Sequence, residues 1–286
     1  MKTQKLAAIL GVAALALGAC GGKDKSGGGK GDYTACLVSD SGGWDDKSFN
    51  QSAKEGLDKA VKDLGVKSKT AESKTDSDFT RNVEGMVGEN CNLVMGVGFK
   101  LSDAISASAK DNADINYSLV DSTFKKNLDN ERALVFNTHE AAYLAGYAAA
   151  ANSKTGKVGT FGGVQLPTVT IFMDGFADGV ARYNKDKGAN VQLIGWDKVS
   201  QKGLFAETFE DKAKGTQIAE QLIQQGADVI MPVAGPVGLG AAAAAKNHAG
   251  TKIVGVDSDW YQSAPEYKDI CLLYTSPSPR DRQKSR

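Results

Sequence analysis

An excess of charge of either sign is what this 286-residue chain most plainly lacks: Lys plus Arg number 34, Asp plus Glu number 34, and the formal net charge is zero. Binding a phosphate backbone draws on a basic excess or a basic face, so a nucleic-acid partner has no electrostatic support. Histidine is scarce as well. His139 and His248 are too few and too scattered for a metal centre. No G-x-S-x-G, Walker A or zinc spacing occurs, which removes the usual catalytic starting points. The apolar run Leu6 to Leu17 is too short to span a bilayer as a mature helix.

What is present begins with an export signal. Lys2 and Lys5 precede that apolar run, which leads into Leu17-Gly18-Ala19-Cys20, an ending that resembles a lipobox. On this reading residues 1–19 are a signal peptide and Cys20 is acylated as the new N-terminus. Residues 20–31, rich in Gly, Lys and Ser, are then a flexible tether. The alternative, an uncleaved core helix, fits neither the N-terminal position nor the basic flank. Export also permits disulfides. Cys36 lies in the first expected strand and Cys91 just before the third, near the same end of strands that neighbour each other in a doubly wound sheet. A Cys36–Cys91 bridge and two buried thiols both fit.

The run Ser39 to Gln51 organises the rest. Thr34 to Val38 is an apolar run of strand length, and Phe49, Ala53, Leu57, Ala60, Val61 and Leu64 recur at the spacing of one helical face. Ser48 with Gln51 reads as a capping box, so the helix starts near Phe49. Gly42 and Gly43 let the backbone turn sharply, while Asp40, Asp45, Asp46 and Asn50 crowd polar groups around the helix N-terminus. That is the build of a ligand-binding strand-to-helix loop.

Short strands and helices then alternate. Strands are expected at 34–39, 67–73, 92–97, 116–120 and 131–137, and helices at 48–64, 77–89 and 101–112. After a helix at 139–152 the pattern returns, with strands at 157–162, 190–196, 228–233 and 252–256 and helices at 168–184, 212–225 and 238–248. Such alternation means parallel strands with right-handed crossovers. Two similar lobes, 32–136 and 137–257, then enclose a cleft, with hinges near 137 and 257 and residues 258–270 starting a return crossing. Both halves finish alike, in Leu119-Val120-Asp121-Ser122 and Gly255-Val256-Asp257-Ser258. Ligands bind outside the carboxyl ends of parallel strands, so Asp40, Asp121 and Asp257 should converge.

The Asp40 to Gln51 segment resembles the basic membrane protein family of bacterial lipoproteins, nucleoside-binding receptors of ABC importers. Further resemblances follow in order at 119–122, 143–150, 156–163, 170–180, 232–240 and 255–260. The resemblance implies the two-lobed periplasmic-binding-protein type I fold. It also implies an extracytoplasmic, lipid-anchored monomer that captures a nucleoside, with a preference for purines, for an ABC permease without cofactor or catalysis. By the same resemblance Phe49 stacks one face of the base and Phe209 the other, although Phe205 could take the latter role and Phe49 could be core. Asp121 would accept from the base edge and Asp257 from the ribose hydroxyls, the alternative being that each caps a helix or turn. Asp40 and Asn50 bond the ligand or pin the loop. Asp45 and Asp46 read as loop and helix-start residues. Gly162-Gly163 and Gly235-Pro236 let amides approach the ligand or simply turn the chain, Gly235 being the better candidate.

Residues 271–286 do not fit. The alternation stops, two prolines fall within three positions, and the string looks like a translated sequencing-adapter read fused to a truncated frame. The C-terminal elements of the family, including a Leu-Thr-Ser…Lys segment that supplies a ligand-binding lysine, would then be missing and binding weakened. Two other functions compete. One is a two-lobed receptor for a sugar or other small metabolite. The other is a calcium-dependent nucleoside hydrolase using Asp40, Asp45 and Asp46, against which stands Gly42 where that pattern expects an acid.

Overall fold

The structure, a computed structural model, describes residues 32–275. The export signal, Cys20, the tether and residues 276–286 lie outside the described residues. Two five-stranded sheets, every strand pair parallel, form the two lobes.

The first lobe runs β1 (Thr34–Ser39), α1 (Phe49–Leu64), β2 (Lys67–Glu72), α2 (Asp78–Gly88), β3 (Leu93–Val97), α3 (Ser102–Asp111), β4 (Asn116–Val120) and β5 (Glu131–Leu134), in strand order β2-β1-β3-β4-β5. Helix α1 ends where Gly65 takes a left-handed conformation (φ 71°) and its N–H returns to the Val61 carbonyl, a glycine stop. Cys36 and Cys91 are joined by a disulfide, Cα to Cα 6.0 Å, beneath a core that includes Val38, Val83, Val94, Ile105 and Leu119.

The chain passes to the second lobe at 135–137. There α4 (Thr138–Asn152) leads to β6 (Lys157–Gly162), α5 (Pro167–Lys187), β7 (Gln192–Ile194), β8 (Trp196–Asp197), β9 (Lys202–Gly203), α6 (Lys212–Gln224), β10 (Val229–Val233), α7 (Val237–Asn247), β11 (Lys252–Val256), α8 (Trp260–Ser263) and β12 (Cys271–Thr275). The order β12-β11-β10-β6-β7 repeats that of the first lobe strand for strand. All five residues of β10 are buried, as expected for a central parallel strand covered by helices on both faces. Helices α4 and α5 pack backbone against backbone: a Cβ on Gly146 would strike the Phe176 carbonyl, and one on Gly179 the Tyr143 carbonyl.

Three expectations from the sequence change. The strand expected at 190–196 breaks at Gly195 (φ 87°) into β7 and a small antiparallel hairpin of β8 and β9. Residues 258–270 do not begin a return crossing; they form α8 and a short 3-10 turn (Pro265–Tyr267) and keep the chain in the second lobe. Cys271–Thr275, expected to open a tail that stops the alternation, pair in parallel with β11 across a bulge at Ile253/Val254. A five-residue Cys-Leu-Leu-Tyr-Thr run suits an edge strand with one hydrogen-bonded neighbour, whatever follows it in the chain.

Candidate functional site

The carboxyl ends of both sheets face one cleft between the lobes, of about 750 Å³ with its mouth included. All seven residues expected to contact a ligand line it: Asp40, Phe49, Asn50, Asp121, Phe209, Gly235 and Asp257.

The first wall is the loop from β1 to α1. Gly42 (φ 109°) and Gly43 (φ 70°) adopt the left-handed conformations that permit its sharp turn. The capping box expected of Ser48 and Gln51 does not form. Ser48 makes no side-chain cap; Asp46 replaces it, accepting from the backbone N–H groups of Ser48 (2.8 Å), Asn50 (3.0 Å) and Gln51 (3.0 Å). One carboxylate satisfies three donors where a hydroxyl satisfies one, so the acid wins the cap. Gln51 instead reaches Glu55. Asn50 is buried; its Nδ2 donates to the Ser41 carbonyl (3.1 Å), while its Oδ1 has no partner.

Asp40 follows β1 and lies against Gly98, where a Cβ would fall on its carboxyl, so Gly98 (φ 104°) is required there. Burial pushes the Asp40 carboxyl up to about 7, although Lys100 and Asn50 oppose the shift. Asp121 and Asp257, at the ends of β4 and β11, share left-handed backbone (φ 57° and 70°) and are both also pushed up to about 7, chiefly by burial. Each keeps part of its surface toward the cavity, but protein encloses that cavity, so the loss of bulk water dominates. The Asp257 charge raises Asp121 further and the Thr168 side chain lowers it; Ser48 lowers Asp257 and Asp46 raises it.

The second wall settles which phenylalanine faces the cleft. Phe209 lines it, edge-on to Phe99 at 6.4 Å between ring centroids, whereas Phe205 packs edge-on to Trp196 at 5.9 Å and bridges to Gly162. The Gly162 and Gly163 N–H groups donate to the Leu204 and Val233 carbonyls, and a Cβ on the first would strike the Phe205 ring and one on the second the Phe209 ring. They make room for the aromatics. Gly235 (φ 53°) follows β10 at the cleft wall.

Several cleft residues escaped the reading of the sequence. Phe99 and Lys100 follow β3, as Asp40 follows β1, and the same strand-end rule could have found them. Thr168 sits in the first turn of α5, the counterpart of Ser48 at α1. Among the described residues Lys100 is the one cation lining the cleft, held by Ser41 Oγ (3.0 Å), Asp76 (3.7 Å) and Glu210 (3.8 Å). Asp45 does not line it. Among the described residues no group of three or more His, Cys, Asp or Glu is arranged to hold a metal, and no helix is long and apolar enough to cross a membrane.

Two lobes of identical strand order around a cleft at their strand ends make the two-lobed periplasmic-binding-protein fold. A solved structure of the same kind, an ABC transporter system solute-binding protein from Aeropyrum pernix K1, matches with a TM-score of 0.71 and 27% identity over 80% of this chain and 64% of that one. Residues 34–268 match the Bmp family, described as ABC transporter substrate-binding protein PnrA-like, and the chain belongs to that family. It is 36% identical over 241 residues to the ABC transporter nucleoside-binding protein BmpA of Lactococcus lactis subsp. cremoris (strain MG1363), covering 80% of this chain and 65% of that protein. It is 34% identical over 227 residues to basic membrane protein A of Borreliella afzelii, covering 78% and 66%. The chain therefore spans about two thirds of the length of these relatives.

Proposed function

We propose that the protein captures nucleosides, purines above all, in the cleft and delivers them to an ABC permease from a lipid anchor at Cys20 on the extracytoplasmic face, catalysing no reaction. The observation that carries this reading is the placement of Phe49 and Phe209 on opposite walls of a cleft that also holds Asp121 and Asp257. Two aromatic faces suit a flat base, each stacking contact being worth about 1–3 kcal/mol. The carboxylates suit ring N–H groups and a ribose diol.

Charge argues for a nucleoside over a nucleotide. Asp40, Asp46, Asp121 and Asp257 line the cleft against one lysine among the described residues, Lys100, so the acids there outnumber the cations that a phosphate needs. Asp46 is taken up by three backbone donors, which leaves the calcium-bound hydrolase without one of its acids. The relative named a nucleoside-binding protein supports the same substrate class.

Calorimetric titration with adenosine, guanosine, inosine, cytidine, ribose and AMP is the test. Binding of the purine nucleosides, weaker cytidine and no ribose or AMP supports the reading. A preference for ribose over every nucleoside would replace it with the sugar receptor, and free base released on adding calcium would establish an enzyme.

A further inference from the structure

The polar groups of the cleft divide into two ends. At one, the Asp257 charge acts on Asp121, and the two acids take the hydroxyls of Ser48 and Thr168 as partners, so this end offers acceptors above all. Asp46, whose charge reaches both Asp257 and Asp40, lies between. The other end carries both signs. There Lys100 and the Asn50 amide favour the ionised form of Asp40, and Lys100 Nζ donates to Ser41 Oγ at 3.0 Å. Each polar group at this end follows an aromatic ring that lines the cleft: Asn50 follows Phe49, Lys100 follows Phe99 and Glu210 follows Phe209. The mixed end therefore lies beside the stacking rings, where the edge of a base would come.

An ammonium donates three hydrogen bonds and accepts none. Lys100 gives one to Ser41, while its acid neighbours Asp76 (3.7 Å) and Glu210 (3.8 Å) stand beyond hydrogen-bond distance on more exposed side chains, where ion pairs hold weakly. Donor capacity remains in a cation that lines the cleft. An ionised carboxylate is the reverse, with two acceptor oxygens and no donor. Guanine matches that pair: its C6 oxygen accepts from an ammonium, and its N1–H and C2 amino group donate to the two oxygens of a carboxylate. Hypoxanthine lacks only the amino group. Adenine carries a donor at C6 and a bare N1, so it must turn over to meet the same pair and leaves one carboxylate oxygen unmet.

We propose, resting on the nucleoside reading, that Lys100 is a specificity-determining residue that selects purine nucleosides with a carbonyl at C6, guanosine first. Its ammonium takes the C6 oxygen, Asp40 takes N1–H, and the acidic end is left for the ribose hydroxyls. A base with the wrong edge leaves a charged group unpaired, and polar sites discriminate strongly by that penalty.

Calorimetric titration of the full chain with guanosine, inosine, adenosine and purine riboside, which has no group at C6, tests the proposal. Guanosine should bind tightest and inosine next, with adenosine and purine riboside about tenfold below guanosine, the worth of one hydrogen bond to a charged group. Lys100→Met keeps the apolar stem and removes the donors. It should weaken guanosine and inosine about tenfold and the other two by about threefold at most, closing the gap. A variant that weakens all four ligands alike would make Lys100 a general support of the cleft and overturns the proposal. So does a wild type that binds adenosine or purine riboside as tightly as guanosine, an arm that needs no variant to fold. Binding of none of the four defeats the nucleoside reading and this proposal together, whereas binding of all four without the C6 order defeats this proposal alone.

Discussion

The two lobes share a strand order but not a way of starting the first helix after the first strand. In the first lobe the β1–α1 connection is long and polar, turns on Gly42 and Gly43, and hands three backbone donors to Asp46. In the second, β6 reaches α5 through four residues, Gly163 to Leu166, with Pro167 in the opening turn and no side-chain cap. Proline lacks the N–H that would otherwise need a partner, so the second helix starts without an acid. The first lobe therefore gives a carboxylate to its backbone and frees a serine for the cleft; the second presents Thr168 beside Asp121 with no such exchange. Equal topology has placed the same chemistry with different support: the Asp257 carboxylate and carbonyl are held across the cleft by Ser48 and Ser52, whereas Asp121 is held within its own sheet by the Leu134 carbonyl and across the cleft by the Thr168 side chain.

The largest way to separate the lobes is covalent. The Cys36–Cys91 bridge closes a loop with a sequence separation of 55 and belongs to the first lobe. Replacing both cysteines by serine should cost about 4 kcal/mol of stability in the chain-entropy account, seen as a fall in Tm or denaturant midpoint, with ligand affinity little changed in protein that remains folded. Next come the strand-end acids. Asp257→Ala should weaken nucleoside binding about a hundredfold in calorimetry and Asp121→Ala about tenfold, because the first also removes the bond with Ser48 across the cleft. Equal losses would erase the asymmetry between the lobes. Phe49→Ala and Phe209→Ala should each cost about tenfold in affinity for a purine nucleoside, and both should shrink the gap between purine and pyrimidine. Thr168→Val, which deletes only the side-chain partner of Asp121, should cost about threefold.

Protonation sharpens the same comparison. Burial in the cleft pushes Asp40, Asp121 and Asp257 up to about 7 from an ordinary value of 3.8. Between those limits the folded protein holds protons that the unfolded chain has released, so stability falls as pH rises through this window and levels off above about 7. The ligand-free Tm should be higher near about pH 5 than near about pH 8. Ligand groups that donate to carboxylates favour the ionised forms, so affinity should run the other way and tighten from about pH 5 to about pH 8, with proton release detectable in buffers of different ionisation enthalpy. Asp257→Asn should flatten both trends more than Asp121→Asn.

Much of the fold and of the site was legible in the amino-acid pattern. Strands β1, β4, β6 and β11 fall on their expected limits, because a short apolar run between turn residues has few other uses in an alternating chain. Phe49, Asp121 and Asp257 reach the cleft because strand ends in parallel sheets share one edge. The choice between Phe205 and Phe209 was not legible, since both lie in one short loop and contacts with residues distant in the chain, Trp196 and Gly162 for the first and Phe99 and Gly163 for the second, orient the rings. Nor was the exchange between Asp46 and Ser48. Both residue types cap helices, and spacing alone favoured the serine.

By itself, then, the sequence determined the alternation, the duplicated lobe and the acids at its strand ends, all consequences of local periodicity and of right-handed parallel crossovers. The tertiary structure alone decided what those acids face. Their raised protonation, the orphaned Asn50 oxygen and the hydroxyl that bridges the lobes arise from groups far apart in the chain, Ser48 and Asp257 being separated by 209 positions. Desolvation and hydrogen bonding depend on distance in space, which no local pattern encodes.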